Sequence, residues 1–249
     1  MQEHHNSITE RLIRDAGIHT GLRVLDLGCG NGEVTKLLAE AVGSSGEVVG
    51  IDINADALAL ADEKLQKEGF TNYTFIQSDI SSRDLKPGIF DAIVGRRVLM
   101  YLKDQAEVMR RLNGLLKSGG VIAFQESDAT ITSRKSSAMP VHERANHWLW
   151  RTVEAEGGKI NTGFQLPSLL ASSGFVVKNV RAEAIIQGQS LHYPLSTVVK
   201  AVLPRIVAKG VATADEVDIE TLEQRLLEER SSHEVYISDL VFSVWALKQ

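Results

Sequence analysis

The sequence predicts an α/β protein built on a doubly wound parallel β-sheet. Three observations lead to this prediction: short apolar runs alternate with segments of helical periodicity, glycine-rich turns separate them, and the apolar runs are nearly continuous. Continuous apolar strands are typical of a parallel sheet that is covered by helices on both faces. Right-handed crossover connections then place helices on both sides of that sheet.

The composition limits the classes of protein that fit this chain. Its 249 residues are 43% hydrophobic and 24% charged, as in ordinary globular proteins. The net charge of −5 argues against a general nucleic-acid binder, and the single Cys29 excludes an intrachain disulfide or a cysteine-built zinc site. No apolar run is long enough to span a membrane, and the first residues lack the features of a signal peptide. We therefore expect a cytoplasmic protein.

The elements follow one another regularly through the first half of the chain. A capping box formed by Ser7 and Glu10 predicts the start of the first helix. In a later helix, Glu107 and Arg111 have the spacing of an i,i+4 ion pair. Apolar runs predict strands at 23–27, 47–52, 73–77, 90–94 and 121–125, and helical spacing predicts helices after residue 33 and at 55–68 and 105–117.

The second half of the chain is less regular. Helical patterns occupy 141–156 and 165–173, and another begins at Asp218, a suitable N-cap residue. Two further apolar runs predict strands at 175–180 and 241–247.

The most informative stretch places three glycines, Gly28, Gly30 and Gly32, between a predicted strand and a predicted helix. Glycine permits positive φ angles and lets a ligand approach the backbone closely. A turn of this kind at the carboxyl end of a parallel strand is a typical ligand site. Asp52 ends the second strand about 20 residues later, where a carboxylate can accept both hydroxyls of a ribose.

Two kinds of ligand compete for such a loop. A dinucleotide fold uses G-x-G-x-x-G/A and holds a pyrophosphate at the helix N-terminus. Here the glycines follow one another as G-x-G-x-G, and Glu33 stands at the helix start, where its carboxylate would repel a pyrophosphate. Asp26 adds a second carboxylate that can receive an ammonium group. These residues disfavour an NAD-dependent oxidoreductase.

The glycine-rich stretch resembles motif I of the class I S-adenosylmethionine-dependent methyltransferases. Further segments resemble later motifs of that family in order and spacing, and they lie at 50–54, 77–80, 90–102 and 115–124. The resemblance is strong over residues 20–128. It is closest to the small-molecule branch that includes enzymes similar to those of ubiquinone and menaquinone biosynthesis.

This resemblance implies a Rossmann-like sheet of seven strands, mostly parallel, with an antiparallel last strand. It implies a single methyltransferase domain over 1–249, with an N-terminal helix or lid at 1–19 and a cofactor-binding core at 20–128. The segments 129–165 and 182–234 exceed the minimal fold, and we interpret them as a helical cap on the substrate side. The alternative role for such apolar helices is a homodimer surface.

The resemblance also implies a set of contacts with S-adenosylmethionine. The loop of Gly28, Gly30 and Gly32 would pass beside the methionine and ribose portions. Asp52 would hold the ribose hydroxyls, and Asp26 would meet the methionine amino group. The alternative for Asp26 is a bond to loop amides.

The remaining implied contacts come from the following strands. Ile53 would pack on the adenine ring, Asp79 would accept from its amino group, and the Ile80 amide would bond the ring. Gly95 and Arg96 end the fourth strand, where the family contacts the methionine portion. Core packing is the alternative for Ile53.

The implied reaction is an in-line transfer of a methyl group to a small-molecule acceptor, giving S-adenosylhomocysteine. Alignment and water exclusion supply most of the catalysis, and a general base assists a hydroxyl or carbon nucleophile. The sequence does not identify a catalytic residue, and the candidates for a base are His142, His147 and Glu126, with His192 as a further imidazole. A solvated or structural role is the alternative for each histidine.

The sequence also bears on nucleic acid, metal ions and alternative functions. The fourth-strand end lacks the motif of enzymes that methylate nucleic-acid bases, and no magnesium ligand set is apparent, so we expect neither nucleic acid nor metal. Two other functions stay open. One is a non-catalytic protein that binds S-adenosylmethionine, and the other is an enzyme that uses the same pocket for chemistry other than methyl transfer.

Overall fold

A computed structural model describes residues 3–82, 85–130, 139–190, 193–231 and 235–249 of the chain, and side chains from Ser7 onward. The candidate base His192 lies outside these residues, as do parts of the segments 1–19, 129–165 and 182–234. Within the described residues, no helix is both long and apolar enough to cross a membrane.

Helices and strands alternate in the order that the sequence predicts. The strands are β1 (Arg23–Leu27), β2 (Glu47–Asp52), β3 (Tyr73–Gln77), β4 (Phe90–Arg96), β5 (Leu116–Asp128), β6 (Phe175–Gln187) and β7 (Tyr236–Lys248). The helices are α1 (Glu3–Asp15), α2 (Glu33–Val42), α3 (Ala55–Lys67), α4 (Gln105–Leu115), α5 (Pro140–Ala155), α6 (Thr162–Ser172), α7 (Leu195–Ala208), α8 (Ala214–Val217) and α9 (Ile219–Arg230), with a 3₁₀ turn at Leu99–Tyr101.

The seven strands form a single sheet in the order β3-β2-β1-β4-β5-β7-β6, in which β7 runs antiparallel to β5. The predicted fold class is therefore confirmed. The chain winds outward from β1 in one direction to β3 and in the other direction to β5. The carboxyl ends of β1 and β4 therefore meet at the switch point of the sheet, where doubly wound folds bind their ligands.

The chain divides into two compact units. The first, called here the sheet unit, comprises residues 3–126, 164–181 and 242–249. Alternate residues of its central strands face two apolar layers, since Leu25 and Ile93 belong to one buried cluster and Val24 and Ala92 to the other. Burial on both faces explains why these strands read as continuous apolar runs.

The second unit, called here the helical unit, comprises residues 127–163 and 182–241 within the described parts of the chain. Its own apolar cluster is built from α5, α7 and α9, with Trp148, Val199 and Leu222 among the buried side chains. The helical pattern that the sequence shows around 129–165 and 182–234 thus corresponds to packed helices.

Several predicted boundaries and local contacts are wrong. The first helix begins at Glu3, so Ser7 lies inside it and does not start it. Asp218 occupies the N-cap position of α9, but its φ angle is +45° and its side chain makes no capping bond to the backbone. The predicted strands at 121–125, 175–180 and 241–247 each extend to 13 residues. Strand extension depends on pairing with distant neighbours, which local apolar runs do not reveal.

Candidate functional site

The residues singled out from the sequence gather at the carboxyl ends of β1 to β4 in the sheet unit. Parallel register aligns these ends, because Leu27 pairs with Ile51 on one side and with Gly95 on the other. The loop after β1, the end of β2, the turn after β3 and the end of β4 therefore meet at one edge of the sheet. This edge is the candidate site.

The three loop glycines have different surroundings, although all have positive φ angles. A β-carbon at Gly28 would lie 2.4 Å from Val98 Cγ2, and one at Gly32 would lie 2.9 Å from Ala61 Cβ. A β-carbon at Gly30 would meet no described atom within 4 Å. Gly28 and Gly32 therefore allow packing of the loop, while Gly30 leaves its backbone open to a ligand.

Asp52 holds the glycine loop from the neighbouring strand. Its Oδ2 accepts a hydrogen bond from the Gly30 amide at 2.9 Å, and its Oδ1 accepts one from the Asn54 amide at 2.9 Å. The Gly28 and Cys29 amides donate to the Ile51 carbonyl. Each carboxylate oxygen has more than one acceptor site, so Asp52 stays able to accept hydroxyl groups while its orientation is fixed.

Asp26 is buried at the level of the loop. Its Oδ2 accepts from Thr35 Oγ1 at 2.6 Å, whereas its Oδ1 has no hydrogen-bond partner among the described residues. Burial raises the pKa of Asp26 to about 6, against the opposing effects of the Thr35 bond and the Arg96 charge. An unpartnered buried carboxylate oxygen is costly, and a cationic group would relieve that cost.

Two side chains predicted to contact a purine are open to solvent. Ile53 is 66% exposed, so it does not belong to the core. Asp79 is also exposed, and its Oδ1 accepts from the Ser81 amide at 2.7 Å. The Ile80 side chain, by contrast, is buried. An apolar surface and an acceptor thus lie beside each other at the ends of β2 and β3.

Arg111 stabilises the turn that carries Asp79. The guanidinium of Arg111 donates to the carbonyl oxygens of Ile80, Ser81 and Ser82 at 2.6–2.9 Å. The predicted pair with Glu107 is wrong, since Glu107 bonds Arg110 instead. Sequence reasoning missed this role because the bonds connect positions about 30 residues apart.

The end of β4 contributes Gly95 and Arg96. A β-carbon at Gly95 would lie 2.4 Å from the Phe124 ring, so only glycine fits there. Arg96 is half-buried, and its Nη1 lies 3.3 Å from Thr9 Oγ1 of α1. The N-terminal helix therefore contacts the site through Thr9, which is itself buried.

Glu33 has a different role from the one that the sequence suggests. Its Oε1 accepts from Lys64 Nζ of α3 at 2.5 Å, so the carboxylate at the start of α2 belongs to an ion pair. The repulsion of a pyrophosphate that we inferred from Glu33 is weakened by this lysine, which follows 31 residues later in the chain.

The three candidate bases have distinct environments. Glu126 is fully buried, and its Oε1 accepts from the amides of Val98 and Leu99 at 3.0 and 2.9 Å. His142 is buried in the helical unit, where its Nδ1 lies 2.8 Å from Glu229 Oε2, and burial lowers its pKa. His147 is exposed. The two histidines therefore lie on different faces of α5, as their spacing predicts.

The lone cysteine lies within the glycine loop. Cys29 is buried, and desolvation together with the Asp26 and Asp52 charges raises the pKa of its thiol. The thiol is therefore kept protonated and unreactive in this conformation.

Comparisons with known proteins point to one family. A family model described as a methyltransferase domain matches residues 18–184. The demethylmenaquinone methyltransferase of Lactococcus lactis is 30% identical over 157 residues, which are 63% of this chain and 59% of that protein. The arsenite methyltransferase of Aquipseudomonas alcaligenes is 39% identical over 113 residues, which are 43% of this chain and 33% of that protein. The chain thus spans between one third and three fifths of these curated relatives.

A solved structure shows the same fold. It is a Haemonchus contortus phosphoethanolamine N-methyltransferase in complex with phosphomonomethylethanolamine and S-adenosylhomocysteine. It aligns with a TM-score of 0.63 and 18% identity, covering 97% of this chain and 52% of that one.

Proposed function

Because the chain belongs to the methyltransferase domain family, we propose that it transfers the methyl group of S-adenosylmethionine to a small-molecule acceptor. The observation that carries the proposal is the bond between the Asp52 carboxylate and the Gly30 amide. This bond fixes an acceptor for hydroxyl groups beside a stretch of backbone that a ligand can approach.

The residues at this edge fit S-adenosylmethionine in chemical type. The unpartnered Asp26 oxygen suits the methionine ammonium group, and the Asp52 carboxylate suits the ribose hydroxyls. The exposed Ile53 offers an apolar surface for adenine, and Asp79 offers an acceptor for its amino group. Arg96 supplies a positive charge suited to the methionine carboxylate.

The bound sulfonium supplies a methyl group that is already activated for displacement. The chain then has to orient the cofactor and keep water away from the reacting atoms. Asp52 and the glycine loop orient the ribose portion, while the buried Asp26 fixes the amino acid portion. A proton leaves the acceptor if it reacts through a hydroxyl group, and His142, held by Glu229, is our candidate to receive it.

The acceptor and the partners also belong to this proposal. We propose that the helical unit selects the acceptor, that the N-terminal helix serves as part of the site, and that both units act as one methyltransferase domain. Demethylmenaquinone and arsenite methyltransferases among the relatives support an acceptor of low molecular weight. A cytoplasmic location, a homodimer and the absence of a nucleic-acid substrate are further expectations, and the net charge of −5 supports the last of them.

Calorimetric titration with S-adenosylmethionine, S-adenosylhomocysteine and NAD tests the proposal. We expect the first two to bind and Asp52→Ala to weaken both by about 10- to 100-fold, the value of one strong charged hydrogen bond. Asp56→Ala, an exposed carboxylate on α3, is the matched control and leaves binding unchanged. Binding of NAD alone, or of none of the three, would overturn the proposal. Binding without turnover on an acceptor panel would indicate a non-catalytic protein.

A further inference from the structure

The carboxyl end of β5 holds the turn after β4 through three successive backbone amides. The Arg97 amide donates to the Gln125 carbonyl at 2.8 Å, and the Val98 and Leu99 amides both donate to Glu126 Oε1. Glu126 is 0% exposed, so these bonds are shielded from water. Shielding strengthens hydrogen bonds to a charged group.

The backbone of this turn is shaped to receive an anion. Arg97 has a φ angle of +53°, which is rare for a residue other than glycine, and Val98 follows in the right-handed region at φ −112° and ψ −37°. A left-handed residue next to a right-handed one points successive amides at a common centre and forms an anion-binding concavity. Here the group at that centre is the carboxyl of Glu126. The strain at Arg97 is offset by the bonds that this geometry allows.

The turn is packed directly against the glycine loop. Val98 is buried, and its Cγ2 occupies the space that a β-carbon at Gly28 would need. A shift of Val98 therefore changes the room available to Gly28, two residues before the open backbone of Gly30. A continuous path of bonds and contacts leads from Glu126 through Val98 to the loop.

We propose that Glu126 is a positioning residue that sets the conformation of the cofactor loop through the backbone of Val98 and Leu99 and the Val98 side chain. The inference rests on the proposed function and deepens it, because it assigns to Glu126 a role other than proton transfer to or from an acceptor. Its Oε1 accepts the bonds of the turn, and its Oε2 is buried and has no hydrogen-bond partner in the part of the chain that the structure describes.

Ionisation of Glu126 should make the order of the loop depend on pH, which a role in packing alone would not do. Burial raises the pKa of Glu126 to about 7, while the amides of Leu99, Val98 and Met100 and the Arg97 charge oppose the rise. The ionised carboxylate accepts the amide bonds more strongly than the neutral acid does. Loop order, and with it cofactor affinity, should therefore increase as the pH rises through 7.

The test measures S-adenosylhomocysteine affinity by calorimetry between pH 6 and 8.5 together with amide hydrogen exchange. Glu126→Gln keeps an acceptor oxygen but removes the charge, so we expect about three- to tenfold weaker binding at pH 8 and a flattened pH profile around 7. Exchange should rise in residues 97–102 and also in residues 28–32. Glu63→Gln, an exposed glutamate of α3, is the matched control and alters none of these quantities.

A second variant separates the amide bonds to Glu126 from the contact between Val98 and Gly28. Val98→Ala removes the contact with Gly28 but leaves the amide bonds to Glu126, so exchange should rise in residues 28–32 while Val98 and Leu99 stay protected. It also keeps the inference testable if Glu126→Gln does not fold. Unchanged exchange in 28–32 for either folded variant, or wild-type affinity and pH profile in Glu126→Gln, would overturn the inference. Failure of the wild type to bind S-adenosylhomocysteine would instead refute the proposed function, while the exchange comparison still decides the coupling.

Discussion

Asp26 shows how one residue can serve both stability and ligand binding. One oxygen of its carboxylate accepts a hydrogen bond from Thr35, while the other is buried and unpartnered within the described residues. The fold therefore keeps a group whose ionised form is unfavourable until a cation arrives. Function at this position is linked to pH, because only the ionised carboxylate pairs with an ammonium group.

We predict that S-adenosylhomocysteine binds about tenfold more weakly at pH 5 than at pH 7. The pKa of Asp26 is about 6 in the free protein, so a carboxyl that must ionise on binding costs about one factor of ten at pH 5. Asp26→Asn should bind weakly and lose this dependence below pH 6. Calorimetry between pH 5 and pH 7 measures the affinity of both proteins. An equal slope of affinity against pH in wild type and Asp26→Asn would assign the proton to another group.

At the residue scale, sequence reasoning identified residues that gather at the site but did not identify their side-chain partners. The spacing of Gly28, Gly30 and Gly32 with Asp52 predicted a loop and a carboxylate at neighbouring strand ends, and the two lie together. The prediction of partners failed even over four residues, since Glu107 bonds Arg110 and not Arg111. It also failed for Glu33, whose Lys64 partner comes from the next helix. Such side chains choose among many distant partners, and only the packed fold decides which of them lies within reach.

At the scale of an element, the glycine loop combines positions that pack with a position that a ligand can approach. Gly28 and Gly32 let the loop pack against Val98 and Ala61, while Gly30 faces open space. The family motif names all three glycines together, yet their surroundings separate packing from ligand approach. The elements themselves were predictable from periodicity, whereas the full lengths of β5, β6 and β7 were not.

We predict different effects for alanine at two of these glycines. Gly28→Ala should lower the free energy of unfolding by about 1–3 kcal/mol beyond the backbone strain, since its β-carbon collides with Val98. Gly30→Ala should cost only the left-handed conformation, about 1–2 kcal/mol, but should weaken S-adenosylhomocysteine binding. Urea unfolding and calorimetry on both variants test this. Equal destabilisation by the two would show that the packing distinction is incorrect.

At the scale of the whole molecule, buried titratable groups govern the pH dependence of folding. Asp26 and Glu126 have raised pKa values, so the stability they contribute is present at low pH and is lost as the pH rises through about 6 and 7. His142 has a lowered pKa, so its contribution acts in the opposite sense and is lost as the pH falls below its unfolded pKa. The fold thus favours neutral forms at all three positions.

We predict that the melting temperature of the protein falls as the pH rises from 6 to 8.5. Each 1 kcal/mol of lost stability should lower it by about 2–4 °C for a chain of this size. Glu126→Gln should flatten the upper part of this decline, because the amide does not ionise. Differential scanning calorimetry in the absence of ligand measures both curves. The His142 contribution opposes the fall but is common to both proteins, so parallel curves for wild type and Glu126→Gln would contradict the expected cost of the buried Glu126 charge.

Cys29 provides a single site for thiol labelling within the glycine loop. It is the single thiol of the sequence, it sits between Gly28 and Gly30, and it is shielded from solvent. A colourless thiol reagent that releases a dye on reaction therefore labels one known atom, at a rate set by how often the loop exposes it. The loop's opening and closing can be timed in the unmodified protein, without adding a fluorophore.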